Sequence, residues 1–250
     1  MATLSHDVAG SGRPLVLVHG WCCNRRHMAG LAEHFARTHR VYSIDLPGHG
    51  ETPIGKTDLR MEALAEAVAK FLDEQNLKDA VLIGHSMGGV LSVFAGGARP
   101  ERVAGVVNLD GALPLKPAAK EGYKALFAAI QEQGFRNLFP EFVRKVFFLP
   151  EELDERAEAI IADMVSAPEK QAVALLKEFP IVDAAKALGK LQAPLLYIGG
   201  SQPRFDEPEV LALKPGAWIA RVALGGHFIQ VFSLEQVVPM IERFLTRIGN

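Results

Sequence analysis

Two cysteines are all that the 250-residue chain contains, and they are neighbours, Cys22 and Cys23. Adjacent cysteines close a disulfide only through a strained ring, so both read as reduced thiols, which excludes a disulfide-stapled scaffold. Long apolar runs are missing too: Asp, Glu, Lys or Arg interrupts each one before it reaches the length of a membrane span. Met1-Ala2-Thr3-Leu4-Ser5-His6-Asp7 has neither a basic start nor an apolar core, unlike a signal peptide. Charge of one sign is not in excess either, since 27 Lys+Arg stand against 29 Asp+Glu, a net charge of −2. Without a basic run, neither a nucleic-acid partner nor an anionic membrane surface is expected. Repeats, a Pro-rich linker and a low-complexity tail are also lacking. These absences point to a cytoplasmic globular protein without membrane insertion. They leave open whether it is a homo-oligomer.

What is present is an alternation. Short apolar runs at Leu15-Val16-Leu17-Val18, Val41-Tyr42-Ser43-Ile44, Ala80-Val81-Leu82-Ile83, Val103 to Leu109, Pro194 to Ile198 and Trp218 to Leu224 read as strands. Most are continuous rather than alternating, as in parallel strands covered on both faces. Helical patterns fall between them, at about 25–37, 60–75, 87–98 and 233–248. The last carries Val237, Ile241, Phe244, Leu245 and Ile248 on one face. The pattern predicts an α/β fold with a doubly wound, mostly parallel central sheet. Only one strand fits before Leu15. Residues 111–190 break the alternation and predict an inserted helical cap, with residues 1–110 and 191–250 forming the core domain. The phenylalanines of that insert, Phe127, Phe135, Phe139, Phe142, Phe147 and Phe148, are expected mainly to glue it to the sheet, one or two lining a pocket.

Chemistry concentrates at a few positions. Gly84-His85-Ser86-Met87-Gly88 follows an apolar strand and opens a helical run, the strand–turn–helix context of a nucleophile elbow. There Ser86 would sit on a tight turn at the helix N-terminus, where the dipole favours a developing anion. A serine hydroxyl needs a base within hydrogen-bond reach. Gly225-Gly226-His227-Phe228, after the last strand, supplies His227. Oxyanion donors would be the backbone N–H of Met87 and one from the loop His19-Gly20-Trp21-Cys22, assigned to Trp21 with Cys22 as the near alternative. Nothing around Cys22 would lower its pKa, so it is not expected to be a nucleophile. His6, His27, His34 and His39 read as surface or helix residues, and His85 as a buttress of the elbow. No histidine has the company of a metal site, and neither metal nor cofactor is expected.

His19-Gly20-Trp21, Asp45-Leu46-Pro47-Gly48-His49-Gly50, Gly84-His85-Ser86-Met87-Gly88-Gly89 and Gly226-His227-Phe228 together resemble the α/β-hydrolase fold superfamily. The resemblance covers nearly the whole chain. It implies that Asp45 to Gly50 is a structural turn near the site. It also implies an acid a few residues after the strand Leu195-Leu196-Tyr197-Ile198, about where Pro203 stands, with Asp206 slightly beyond. A minority of the fold takes its acid from the end of the preceding strand, and Val106-Val107-Asn108-Leu109-Asp110 offers Asp110. The end of a central strand is a more rigid platform than a loop, so Asp110 is preferred and Asp206 is the alternative.

The expected reaction is hydrolysis of a small carboxylic ester, thioester or lactone through Ser86, His227 and Asp110, with an acyl-enzyme intermediate. Phe content predicts an apolar or aromatic acyl group on a small-molecule substrate. Other activities of the superfamily stay open: a C–C bond hydrolase, a transferase, a cofactor-independent dioxygenase, or a small-molecule sensor that keeps the machinery.

Overall fold

Among the described residues seven strands carry the molecule: β1 (His6–Ala9), β2 (Pro14–Val18), β3 (Arg40–Ile44), β4 (Ala80–His85), β5 (Val103–Leu109), β6 (Leu195–Gly199) and β7 (Trp218–Arg221). The computed structural model describes residues 3–249. The strands pair in the order β1-β3-β2-β4-β5-β6-β7. β1 runs antiparallel to β3, and all other pairs are parallel. Helices α1 (Ala29–Phe35), α2 (Met61–Glu74), α3 (Met87–Ala98), α9 (Glu207–Leu213), α10 (Ile229–Phe232) and α11 (Leu234–Ile248) alternate with these strands.

Two apolar cores explain why the strand sequences read as unbroken hydrophobic runs. Leu15 and Leu17 of β2, with Val81 and Ile83 of β4, face Leu31 and Phe35 of α1 and Ile241 and Phe244 of α11. Their neighbours Val16, Val18 and Leu82 turn to the other face, where Leu64, Val68 and Phe71 of α2 and Leu91 of α3 cover them. β2 and β4 are therefore buried on both sides, as expected of central parallel strands. In α11 the stripe Val237, Ile241, Phe244 and Leu245 is buried, as its spacing predicts.

Two elements differ from the sequence pattern. Residues 25–37 split into a 3-10 turn, Arg25–Met28, and the shorter α1. The last strand stops at Arg221 instead of Leu224, because the Ala223 N–H donates to the Gln236 side chain and leaves the ladder. Leu224 then adopts a left-handed φ of 52° and stands exposed.

Between β5 and β6 lie α4 (Pro117–Gln133), α5 (Phe135–Phe147), α6 (Glu155–Ser166), α7 (Glu169–Glu178) and α8 (Ala184–Lys190). α8 packs against α3, the first four pack on one another, and α4, α5 and α6 supply side chains above the end of β4. Register lines up the ends of the parallel strands: Val18 lies opposite Gly84, His85 opposite Leu109, and Leu109 opposite Ile198. The residues that follow, His19, Ser86, Asp110 and Gly200, thus gather at one edge of the sheet. Among the described residues no helix is long and apolar enough to cross a membrane.

Candidate active site

Ser86 joins β4 to α3 with φ 54° and ψ −121°, a strained conformation for a residue with a side chain. Two glycines make the turn possible. A Cβ on Gly84 would lie 2.2 Å from the Gly88 carbonyl oxygen, and one on Gly88 would lie 2.2 Å from that of Val18. Helix and strand therefore meet backbone to backbone. The Ser86 N–H donates to the Leu109 carbonyl at 2.8 Å, tying the turn to β5. Met87 opens α3, so its N–H is among those with no intrahelical partner. The loop after β2 comes equally close: a Cβ on Gly20 would be 3.1 Å from the Ser86 Cβ, so Gly20-Trp21 flanks the hydroxyl.

His227 Nε2 lies 2.9 Å from Ser86 Oγ, and its Nδ1 lies 2.6 Å from Asp110 Oδ2. A carboxylate only accepts, so Nδ1 carries the proton and Nε2 is free to accept from the serine. The loop holding His227 is fixed from three sides. Its N–H donates to the Phe147 carbonyl at 2.8 Å, and His85 Nε2 donates to its carbonyl at 2.9 Å. The Glu152 carboxylate, itself buried, accepts from Gly226 N–H at 2.8 Å and Leu149 N–H at 2.9 Å. Burial, and then the charge of nearby Arg204, hold the His227 imidazole well below its usual pKa. His85 is likewise pushed well down, by burial and then by His227. Its Nε2 donates to a carbonyl and its buried Nδ1 has no acceptor to hold a second proton, which favours the neutral ring.

Asp110 follows β5 at φ 49°, and only 2% of it is exposed. Its Oδ1 accepts from Gly200 N–H at 3.1 Å. Burial pushes its pKa up to about 6, against the opposing pull of Arg204 and the Gly200 N–H. Asp206 lies elsewhere: its carboxylate caps α9, accepting from Glu209 N–H at 3.2 Å. Asp45 binds the N–H groups of Arg25 and Glu51 at 2.8 and 2.9 Å and pairs with the Arg25 side chain, which braces the turn through Gly50. His49 is buried on that turn, away from Ser86. His27, which reads as a surface or helix residue, is buried in its 3-10 turn and bonded to Asp163 of α6 at 3.1 Å. Cys22 and Cys23 are buried free thiols whose pKa burial raises.

Two small cavities meet at Ser86. One, of about 10 Å³, is bounded by Trp21, Tyr123, Phe147, Met164, Phe179 and His227. The other, of about 20 Å³, is bounded by Val90, Leu115, Tyr123, Phe179, Val182 and Arg204. Both walls are mostly apolar, and each space has room for about one water. The phenylalanines divide accordingly: Phe147 reaches the cavity, whereas Phe135, Phe139 and Phe148 pack in the core. A much larger groove of about 780 Å³, lined by Arg25, Asp45 and Asp163 among others, excludes Ser86. We place the chemistry in the small spaces, because Ser86 lines both. Arg204, Tyr123 and Glu152 escape sequence reasoning. No motif marks them, and they reach the site from a loop, a helix and a helical turn far apart in the chain.

Comparison with known proteins agrees with this architecture. The family model described as alpha/beta hydrolase fold matches residues 13–233. A pimeloyl-[acyl-carrier protein] methyl ester esterase of Stenotrophomonas maltophilia is 27% identical, over 97% of this chain and 96% of its own. A 2-hydroxy-6-oxononadienedioate/2-hydroxy-6-oxononatrienedioate hydrolase of Burkholderia vietnamiensis is 30% identical, over 97% and 90% respectively. Among solved structures, a thermophilic esterase from Thermogutta terrifontis superposes with a TM-score of 0.84 at 24% identity, covering 99% of this chain and 94% of that one.

Proposed function

The chain belongs to the alpha/beta hydrolase fold family, and from that membership we propose that it is a serine hydrolase of small carboxylic esters, thioesters or lactones. The observation that carries the reading is the unbroken hydrogen-bonded chain from Asp110 through His227 to Ser86. In it His227 takes the proton of Ser86 as the hydroxyl oxygen attacks the carbonyl carbon, and Asp110 stabilises the resulting imidazolium. The N–H groups of Met87 and Trp21 receive the oxyanion. His227 then returns the proton to the departing alkoxide or thiolate, leaving an acyl-enzyme. Water, deprotonated by the same imidazole, releases the acid. Residues 111–190, apart from α8, serve as the cap over this site. The aromatic walls contributed by Phe147, Phe179 and Tyr123 favour an apolar or aromatic acyl group.

The test is labelling with a fluorophosphonate together with a series of p-nitrophenyl esters of increasing chain length. Ser86→Ala should lose labelling and lower turnover by about 10⁴ or more while the fold is kept. Retention of more than about a tenth of the activity would exclude the acyl-enzyme route. A second reading, hydrolysis of a C–C bond beside a ketone, is favoured by the 30% identical relative. Turnover of a 2-hydroxy-6-oxo-dienoate without ester turnover would select it.

A further inference from the structure

Asp110 has a partner that the Ser–His–Asp arrangement does not need. Arg204, in the loop after β6, places Nε 3.6 Å from Asp110 Oδ2, and its backbone N–H also bonds the carboxylate. The guanidinium is held where it is. It donates to the Val146 carbonyl and to the Tyr123 hydroxyl, and it lies over the Phe147 ring, 4.8 Å from the centroid. Those contacts fix its charge beside the acid, at the wall of the cavity that Ser86 also lines.

We propose that Arg204 is a positioning residue that keeps Asp110 ionised and His227 neutral down to a lower pH than the pair would reach alone. The proposal rests on the serine-hydrolase reading for its kinetic consequence, and on geometry for its electrostatic one.

The physical argument is one of sign. A cation beside the pair stabilises the carboxylate and destabilises the imidazolium, so it resists uptake of a proton at either site. Burial works against Asp110, whose pKa stands at about 6 with Arg204 as the leading force opposing that rise. For His227, burial and Arg204 act together and lower the pKa. The two titrate as a coupled pair, so Arg204 moves the apparent pKa of the pair downward.

Other charged and titratable groups face this centre from every side. His85 on β4 is buried and neutral, and Tyr123 on α4 is bonded to Arg204. Lys116, just before α4, is spent on the Pro203 carbonyl, and Lys145 on α5 pairs with Glu141. Glu152 binds backbone N–H groups on the far side of Gly226, and Asp206 caps α9. Among the described residues only Arg204 and His227 bring a cationic nitrogen within 4.0 Å of the Asp110 carboxylate.

The experiment follows the rate of fluorophosphonate labelling of Ser86 against pH, with NMR titration of the His227 ring nitrogens in the same proteins. Arg204→Gln should move the acid limb and the imidazole titration upward by about one to two pH units. Any loss of rate should be larger on the acid limb than on the high-pH plateau, and Arg204→Lys should restore the limb. Arg204→Met, which keeps packing on Phe147, serves if Arg204→Gln does not fold. An unmoved limb, or an equal loss of rate at every pH that Arg204→Lys does not rescue, would overturn the proposal. If wild-type Ser86 is not labelled at any pH, the serine-hydrolase reading fails. The His227 titration then still decides the role of Arg204.

Discussion

Asp110 shows what a single residue in this site costs and contributes. Its folded pKa, about 6, lies above the ordinary carboxylate value of 3.8, so the folded state binds its proton more tightly than the unfolded one. Stability contributed by that proton is present below about 4 and is lost as pH rises to 6. Above that range the wild type bears the cost of a buried charge. Asp110→Asn removes it, at most about 3 kcal/mol. The variant should therefore melt higher at pH 8, with the advantage shrinking as pH falls through 6 to 4. Its turnover should meanwhile drop by a factor on the order of 10⁴, because the amide favours the wrong imidazole tautomer. Thermal melts and kinetics on one preparation check both; an Asp110→Asn protein that is less stable at pH 8 would refute the electrostatic account. Asp110 was readable because an Asp ending a central strand has a predictable position. Arg204 was not, since its importance arises only when the β6 loop folds back onto β5. His27 misled for a similar reason: its burial depends on Asp163, which is 136 positions away in the chain.

At the scale of elements, the contact between β4 and α3 is the least forgiving. A Cβ on Gly88 would meet the carbonyl oxygens of Val18 at 2.2 Å and His19 at 2.4 Å, both backbone atoms that cannot rotate aside. Gly88→Ala should cost about 3 kcal/mol or more, a fall in Tm of roughly 6–12 °C, or prevent folding. A variant melting within 2 °C of wild type would contradict this packing. The clamp at Glu152 is gentler. Glu152→Ala leaves two partly buried backbone donors, those of Gly226 and Leu149, without their acceptor. That loss is worth about 1–3 kcal/mol per donor. It should lower kcat more than it changes KM, because the His227 loop loses its tether. Glu152→Gln, whose amide oxygen can still accept, should fall between; thermal denaturation and steady-state kinetics give both numbers. Strand and helix types were legible here from the hydrophobic period. The clamp was not, because a buried acid bonded only to main chain has no sequence signature.

Over the whole molecule, the order of elements and the single edge at which strand ends gather followed from the alternation of patterns. The way α4 to α7 close over that edge did not, since helices packed on one another can be arranged in many ways for one set of apolar stripes. The closure is tight. Trp21 Nε1 donates to the Ala172 carbonyl of α7 at 3.0 Å, and Asn24 and His27 both bond Asp163 of α6. Beneath it, the spaces that Ser86 lines, of about 10 and 20 Å³, hold about one water each. If substrate enters only the fraction of molecules whose helices have lifted, the dissociation constant an assay reports is the intrinsic one divided by that fraction. Were one molecule in about a hundred open, a ligand would bind about a hundredfold more weakly than its contacts warrant. For such a protein the affinity for every substrate is scaled by how often the door stands open, while the preference between substrates is not, and side chains that never touch substrate share in setting that scale.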